Sequence, residues 1–232
     1  MDSQNCDMNL GNLQMLSLIL NENQSNSCVR LIKERGIQGG VVIIGRGTVS
    51  STVLNMLGIK NQRKIFMNVL LKREKAKEVM DCLDKALHLN KPNHGIAYTT
   101  PVLCATGLPG QEANQEHNGI ITSHGLEEES MFKKLTVIVD RGMSGDVMDI
   151  ALKAGVRGGT ILHGRGAGAD IVTNLFGIEI EPEKELVIIL MPNDLVEKVV
   201  PALTKGLQLD ESGKGILFVE PIIETRGLFE MR

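Results

Sequence analysis

The sequence of 232 residues predicts an α+β protein made of two tandem ferredoxin-like units, each with the order β-α-β-β-α-β and with both helices on one face of an antiparallel sheet. Three observations predict this fold. The chain repeats itself once, each copy shows strand-like and helix-like apolar patterns in the same order, and glycines interrupt the two copies at matching places.

The internal repeat is clearest in a glycine-rich segment. Residues Gln38–Gly47 align with Arg157–Gly166, and the identical positions are four glycines and one arginine. Because glycines set backbone shape and apolar residues set the core, both copies are expected to share one fold. The expected organisation is an N-terminal arm (1–13), a first unit (14–108), a linker (109–133) and a second unit (134–232).

The first helix of each unit has start and stop signals. In the second copy, Ser144 precedes apolar residues at helical spacing and Gly155 follows them, as expected for an N-cap and a C′ glycine. In the first copy, Ser25 and Gly36 hold the same places. This pattern directs Cys28 into the core, where we expect it to be inert packing.

The other elements follow from apolar periodicity. Strands are predicted at 41–44, 64–71 and 95–101, and at 135–139, 160–162, 185–191 and 215–221. Two-turn helices are expected to end at Gly58 and Gly177, and Pro201 is expected to kink or split the last long helix near Glu197. The sheet face away from the helices is expected to be apolar and covered by sheet-to-sheet association: Ile43, Ile96, Tyr98, Ile161, Val187 and Phe218.

Composition excludes several classes of function. Aromatic residues make up 3% of the chain, tryptophan is absent and the formal net charge is −3, which argues against nucleic-acid binding. No apolar run is long enough to span a membrane, and the N-terminus lacks a secretion signal. The four cysteines show no metal-ligand spacing, so we expect no metal site and reduced thiols in the cytoplasm.

The repeated Gly-Arg-Gly is the first candidate binding feature. It stands between a strand and a helical segment in both copies, where backbone N–H groups and a guanidinium would hold a small anion. The alternative is a tight turn with a solvated arginine. Asp170 would compete with an anion in the second copy, which favours the first copy as the better site. The predicted ligand residues are Gly45, Arg46, Gly47 and Thr48, and Gly164, Arg165 and Gly166.

A second glycine turn precedes the last strand of each copy. It contains Gly95 in the first copy and Gly213, Lys214 and Gly215 in the second, and Arg226 lies near the end of the chain. A β-turn without ligand is favoured for the first copy, whereas Lys214 makes a phosphate role plausible in the second.

These features together resemble the PII nitrogen-regulatory signal-protein family. The resemblance rests on Gly39–Gly47, on Gly213–Glu220 and on the order of elements, and it covers both units. It implies a trimeric assembly of ferredoxin-like domains with adenine nucleotides in clefts between neighbours. The loop base, the turn before the last strand and a C-terminal arginine meet there, and such proteins regulate a protein partner, often under control of 2-oxoglutarate. The long docking loop of the family is a short segment here, and its modifiable tyrosine is missing.

The sequence therefore predicts a non-catalytic, cytoplasmic signal protein that binds a small anionic effector, with an adenine nucleotide as the candidate. It would form homo-oligomers and regulate an unidentified protein, with a role in nitrogen metabolism implied by the resemblance. No catalytic residue and no required cofactor are expected. Two alternatives stay open: a ligand-free oligomeric scaffold, and an enzyme that uses His163 and Arg165 on a small metabolite.

Overall fold

The computed structural model of the chain describes residues 13–37, 40–48, 62–102, 131–165, 173–175, 178–180 and 183–228. Packing contacts divide the chain into two compact units. The first unit contains Met1–Val42, Ile65–Ser130 and Pro221–Arg232, and the second contains Ile43–Lys64 and Met131–Glu220.

The described part of the chain contains four helices and eleven strands. The helices are α1 (Ser25–Glu34), α2 (Arg73–Leu87), α3 (Ser144–Lys153) and α4 (Val196–Leu207). The strands are β1 (Leu13–Asn21), β2 (Val41–Gly47), β3 (Gln62–Lys72), β4 (Ile96–Val102), β5 (Phe132–Asp140), β6 (Thr160–Arg165), β7 (Thr173–Leu175), β8 (Ile178–Ile180), β9 (Glu183–Pro192), β10 (Ile216–Pro221) and β11 (Glu224–Arg226).

The first unit contains a sheet in the order β3-β1-β4-β11. β1 and β4 run antiparallel, with Leu18 opposite Ala97. Both residues belong to a core that also contains residues of α1 and α2. Cys28 is fully buried in this core, and burial raises the pKa of its thiol to about 12. The expectation that Cys28 is a packing residue is therefore confirmed.

The second unit contains a sheet in the order β10-β5-β9-β6-β2. Its first four strands have the order 4-1-3-2 within their own repeat, and α3 and α4 supply the helical part of the core. The first repeat has the same order, because its strands follow one another as β4, β1, β3 and β2. Antiparallel strands in this order, with both helices on one face, define the ferredoxin-like fold, so the predicted fold class is confirmed.

The compact units and the sequence repeats differ in two places. β2 belongs to the first repeat, but its residues from Ile43 onward pack in the second unit. β11 belongs to the second repeat and pairs with β4 in the first unit. The predicted boundaries follow the repeat and stay a prediction, and most of the arm and the linker lies outside the described residues.

Four local predictions are wrong. Thr173–Leu175 forms a strand paired with Ile178–Ile180 where a two-turn helix was expected. Ser25 and Ser144 are the first residues of their helices, with Gln24 and Met143 as the N-caps. In that position, Ser144 offers its backbone N–H to a carboxylate from the sheet.

The fourth helix continues from Val196 to Leu207 across Pro201, so the predicted split near Glu197 is wrong; the proline, which has no N–H, costs the helix one backbone hydrogen bond. Ile161 and Val187 lie on the helix-facing side of the sheet, since they are paired with one another and Val187 is paired with the core residue Val137. The apolar residues of β9 are contiguous and do not alternate with polar ones, so the sequence does not show which of them lie on the helix-facing side of the sheet. The short helix expected before Gly58 lies outside the described residues.

Candidate functional site

A buried carboxylate lies at the N-terminus of α3 in the second unit. Glu185 comes from β9 and is 3% exposed. Its Oε2 accepts hydrogen bonds from the backbone N–H groups of Gly142, at 3.1 Å, and Ser144, at 2.9 Å. The first N–H groups of a helix have no partner within the helix and carry partial positive charge. Glu185 therefore caps α3 from a neighbouring strand.

Arg46 of the Gly-Arg-Gly segment lies against this carboxylate. Its Nη2 donates to Ser144 Oγ at 2.8 Å and lies 3.7 Å from Glu185 Oε1. The side chain is 35% exposed, and its Nε is buried without a hydrogen-bond partner. The guanidinium thus balances the charge of Glu185, while part of it remains open to solvent.

The end of β2 is held in place by close backbone contacts. A side chain at Gly45 would meet the Ile161 carbonyl oxygen at 2.7 Å, so only glycine allows β2 and β6 to pair at this spacing. Thr48 Oγ1 donates to the Gly159 oxygen at 3.0 Å and accepts from the Gly159 N–H at 2.7 Å. These contacts fix the direction of Arg46.

The surroundings of Glu185 favour its ionised form. Burial by itself would raise the pKa of this carboxyl, but the Ser144 hydroxyl, the N–H groups of Ser144 and Gly142, and the Arg46 guanidinium outweigh burial. The pKa of Glu185 therefore lies below its ordinary value.

His163 completes the group that we call the Glu185 cluster: Arg46, Gly142, Ser144, His163 and Glu185. His163 lies opposite Glu185 in the pairing of β6 and β9, and its Nδ1 is 3.5 Å from Glu185 Oε1. About half of its side chain is exposed. In the first repeat, Ile44 stands in the place of His163 and Ile65 in the place of Glu185. The Glu185 cluster therefore has no counterpart in the first repeat.

The predicted ligand residues of the second repeat lie at one end of its sheet. Gly164 is opposite Lys184, and the exposed Arg165 is opposite Glu183. Gly215 has φ +143° and lies against Ile138 of β5. Strands β10 and β6 are three steps apart in this sheet, so the axes of the strands that carry the two glycine segments are about 14 Å apart at ~4.8 Å per step. Gly166 lies outside the described residues.

Lys214 occupies the turn before β10. Its Nζ lies 3.7 Å from Glu211 Oε2, and both side chains are substantially exposed. A pair of this kind is held weakly in water. The ammonium group is therefore accessible to another anion.

In the first unit, the turn before β4 meets the C-terminal strand. A side chain at Gly227 would lie 2.3 Å from the Gly95 oxygen, and Gly227 has φ +77°. Arg226 Nη2 donates to Asp81 Oδ1 at 2.8 Å and to Glu224 Oε1 at 2.6 Å. The hydrogen bond from Arg226 holds the pKa of Asp81 below its ordinary value. The structure thus brings Gly95 and Arg226 into one neighbourhood, with the guanidinium held by protein carboxylates.

Sequence reasoning missed Glu185 and Asp81. Glu185 is the last of three charged residues that begin an otherwise apolar strand, and an acid is buried only when it has strong partners. This rule could have marked Glu185 as a candidate buried acid from sequence, but it does not predict that Arg46 is the partner. Asp81 stands among other charges on the exposed face of α2, and nothing in its sequence surroundings marks it.

Within the described ranges, no group of three or more histidine, cysteine or acidic side chains is arranged to hold a metal ion. None of the helices described there has the length and apolar character needed to cross a membrane.

The geometry defines a ferredoxin-like unit with glycine turns and cations at one end of its sheet. Known proteins are similar in sequence to this part of the chain. Residues 132–228 match the family model described as Nitrogen regulatory protein P-II. This segment covers less than half of the chain and includes nearly all of the second repeat. The second repeat is thus similar to the P-II family over nearly its whole length. The resemblance stated from sequence is confirmed for this part.

Solved structures also match the chain. One of them is the crystal structure of Arabidopsis thaliana PII bound to citrate, which is 28% identical over 41% of this chain and 78% of that chain, with a TM-score of 0.32. No curated protein matches the chain.

Proposed function

We propose that the chain is a non-catalytic, cytoplasmic signal protein of the PII type that binds a small anionic effector and thereby regulates a partner protein, with a role in nitrogen metabolism. The observation that carries the proposal is the P-II match across residues 132–228. This segment contains the glycine at the end of β6, the glycine turn before β10 and two accessible cations, Arg165 and Lys214, at one end of its sheet.

The proposed effector site uses these cations rather than Arg46. The guanidinium of Arg46 is engaged by Ser144 and Glu185, so an external anion would have to compete with a buried carboxylate. Among the described residues, the acids beside Arg165 and Lys214 are the surface residues Glu183 and Glu211, and neither is buried. The span of about 14 Å between their segments suits an elongated anion, and an adenine nucleotide is the candidate effector.

Titration calorimetry of the full chain with ATP, ADP, AMP and 2-oxoglutarate tests this proposal. We expect at least one of the nucleotides to bind. Replacement of either cation, by Arg165→Ala or Lys214→Ala, is expected to weaken binding about tenfold, which corresponds to ~1.4 kcal/mol. Lys153→Ala is the matched control, because Lys153 is an exposed cation in the last turn of α3.

No heat with any of the four compounds would remove the effector proposal. Equal binding by the wild type and both site variants would remove the assignment of these two residues.

A second candidate function has one observation in its favour. The half-exposed His163 lies beside the carboxylate of Glu185, and a carboxylate can orient a histidine that transfers protons. This candidate predicts turnover of a metabolite by the purified chain and its loss in His163→Ala. The signal-protein proposal predicts unchanged effector binding in the same variant.

A further inference from the structure

Two histidines of the first unit lie close together in the turn between α2 and β4. His88 is the C-cap of α2, and His94 stands two residues before β4. Their ring centroids are 6.2 Å apart with the ring planes at 81°, and the side chain of His88 is exposed. A metal ion bound at about 2.1 Å to one nitrogen of each ring leaves the two centroids roughly 5–6 Å apart. A small rotation of the exposed His88 ring therefore brings the pair to the spacing of a chelate.

The ring of His94 is oriented by the end of α2. Its Nδ1 lies 3.4 Å from the Leu87 oxygen. A carbonyl oxygen only accepts hydrogen bonds, so Nδ1 is the donor and Nε2 of the neutral ring keeps a lone pair. Gln24 Nε2 also donates to the backbone oxygens of Leu87 and His94, at 3.3 and 2.8 Å. Histidines that bind metal ions commonly donate their other N–H to a backbone carbonyl, because this bond fixes the direction of the ligating nitrogen.

The place of the pair on α2 favours a cation. The last carbonyl groups of a helix have no partner within the helix, and they carry partial negative charge. His88 stands at this end of α2, and His94 contacts the carbonyl of Leu87. An ion held by the two rings therefore lies near the negative end of the helix dipole.

The second repeat provides an internal comparison for this turn. Gln208 and Lys214 stand in the places of His88 and His94. The backbone begins the turn in the same way, since φ is 54° at His88 and 55° at Gln208. The turn thus forms without either imidazole, and its shape does not account for the two histidines. A protonated lysine has no lone pair for a metal ion, so the second repeat lacks the chelating pair.

We propose that His88 and His94 bind a divalent transition-metal ion, with water in the remaining coordination positions. Imidazole nitrogen suits Zn²⁺, Ni²⁺ and Cu²⁺, whereas Mg²⁺ and Ca²⁺ prefer oxygen ligands. The pair supplies one protein ligand fewer than the three of an open zinc site, so the ion is exchangeable. The inference goes beyond the proposed function and is tested without any anionic effector.

Calorimetry of the untagged full chain with zinc chloride, and with magnesium chloride for comparison, tests the proposal. We expect zinc to bind and magnesium not to bind. His88→Gln and His94→Lys each introduce the residue that the second repeat carries in the same turn, so the fold is expected to be kept. Each is expected to weaken zinc binding roughly tenfold or more, as the loss of a ligand's hydrogen-bond partner already does in metal sites.

His163→Gln is the matched control. His163 is also about half exposed and lies beside an acid, but it belongs to the second unit. This variant is expected to bind zinc as the wild type does.

NMR spectroscopy of the wild type then locates the ion without any substitution. Cu²⁺ is paramagnetic and broadens the amide signals nearest to it, so a small amount should broaden the signals of His88 and His94 first. The proposal is overturned if the wild type binds no zinc, or if both variants of the pair bind it as tightly as the wild type. Broadening that is strongest in another part of the chain would also overturn it.

Discussion

The substitution Glu185→Gln tests the central contact of the second unit. Glutamine has the same shape as glutamate but no charge, so it weakens two hydrogen bonds to the N-terminus of α3 and leaves Arg46 without its counterion. Hydrogen bonds to charged groups contribute about 1.5–3 kcal/mol each. Because glutamine still accepts one bond and Arg46 is partly exposed, we expect a loss of about 2 kcal/mol in the free energy of unfolding at pH 7.

The loss should depend on pH in a definite direction. The pKa of Glu185 is lower in the folded chain than the ordinary value of about 4.3 for an unfolded glutamate. The charge of Glu185 therefore adds stability above that ordinary value. This contribution is lost as the pH falls through the folded-state pKa. We expect the wild type and the variant to differ fully at pH 7 and to converge in more acidic buffers.

Urea unfolding at a series of pH values measures this difference. The matched control is Glu183→Gln. Glu183 is on the same strand, and its exposed carboxylate forms a surface ion pair with Arg141. We expect the control to change stability by less than about 0.5 kcal/mol. The reasoning fails if Glu185→Gln is as stable as the wild type at pH 7, or if its deficit does not shrink in acid.

Three further outcomes follow from the same contacts. Arg46→Met should lower the unfolding free energy by about 1–2 kcal/mol, whereas Arg165→Met, at the repeat-equivalent but exposed position, should change it by less than about 0.5 kcal/mol in the same urea titration. Gly227→Ala should release β11, because its Cβ would collide with a backbone oxygen and φ is +77°; faster amide hydrogen exchange in β11 is the measurement. Cys28, with a thiol pKa of about 12, should resist a thiol reagent at pH 8 that modifies the half-buried Cys82, as peptide mapping will show. Equal exchange in the glycine variant, or rapid labelling of Cys28, would contradict these expectations.

Much of the fold could be predicted from sequence because local signals agreed with the tertiary structure. Seven strands of the two repeats were predicted from apolar and β-branched runs. Gly36 and Gly155 follow the ends of their helices with positive φ as expected. The errors came where local signals were ambiguous. The short segment at Thr173–Leu175 fits helix or strand about equally by periodicity, and pairing with β8 decides for strand.

The candidate site was only partly predictable. The glycine segments could be predicted because each occurs in both repeats. Arg226 could be predicted because it precedes Gly227, which matches Gly107 of the first repeat. The partner of Arg46 could not be predicted, because β2 of the first repeat pairs with β6 of the second. A contact of that kind depends on how strands from distant parts of the sequence are combined, and no local pattern records it. The assignment of the predicted residues to an effector remains a prediction.

The exchange of strands between the repeats has a practical consequence for modularity. β2 completes its hydrogen bonds on β6, and β11 completes its own on β4. A cut in the connecting segment would deprive both fragments of a strand that they use for pairing, although each fragment keeps a full β-α-β-β-α-β sequence. Duplication has therefore produced a chain whose halves are no longer interchangeable, and fragments that contain only one half should be less stable than the parent chain.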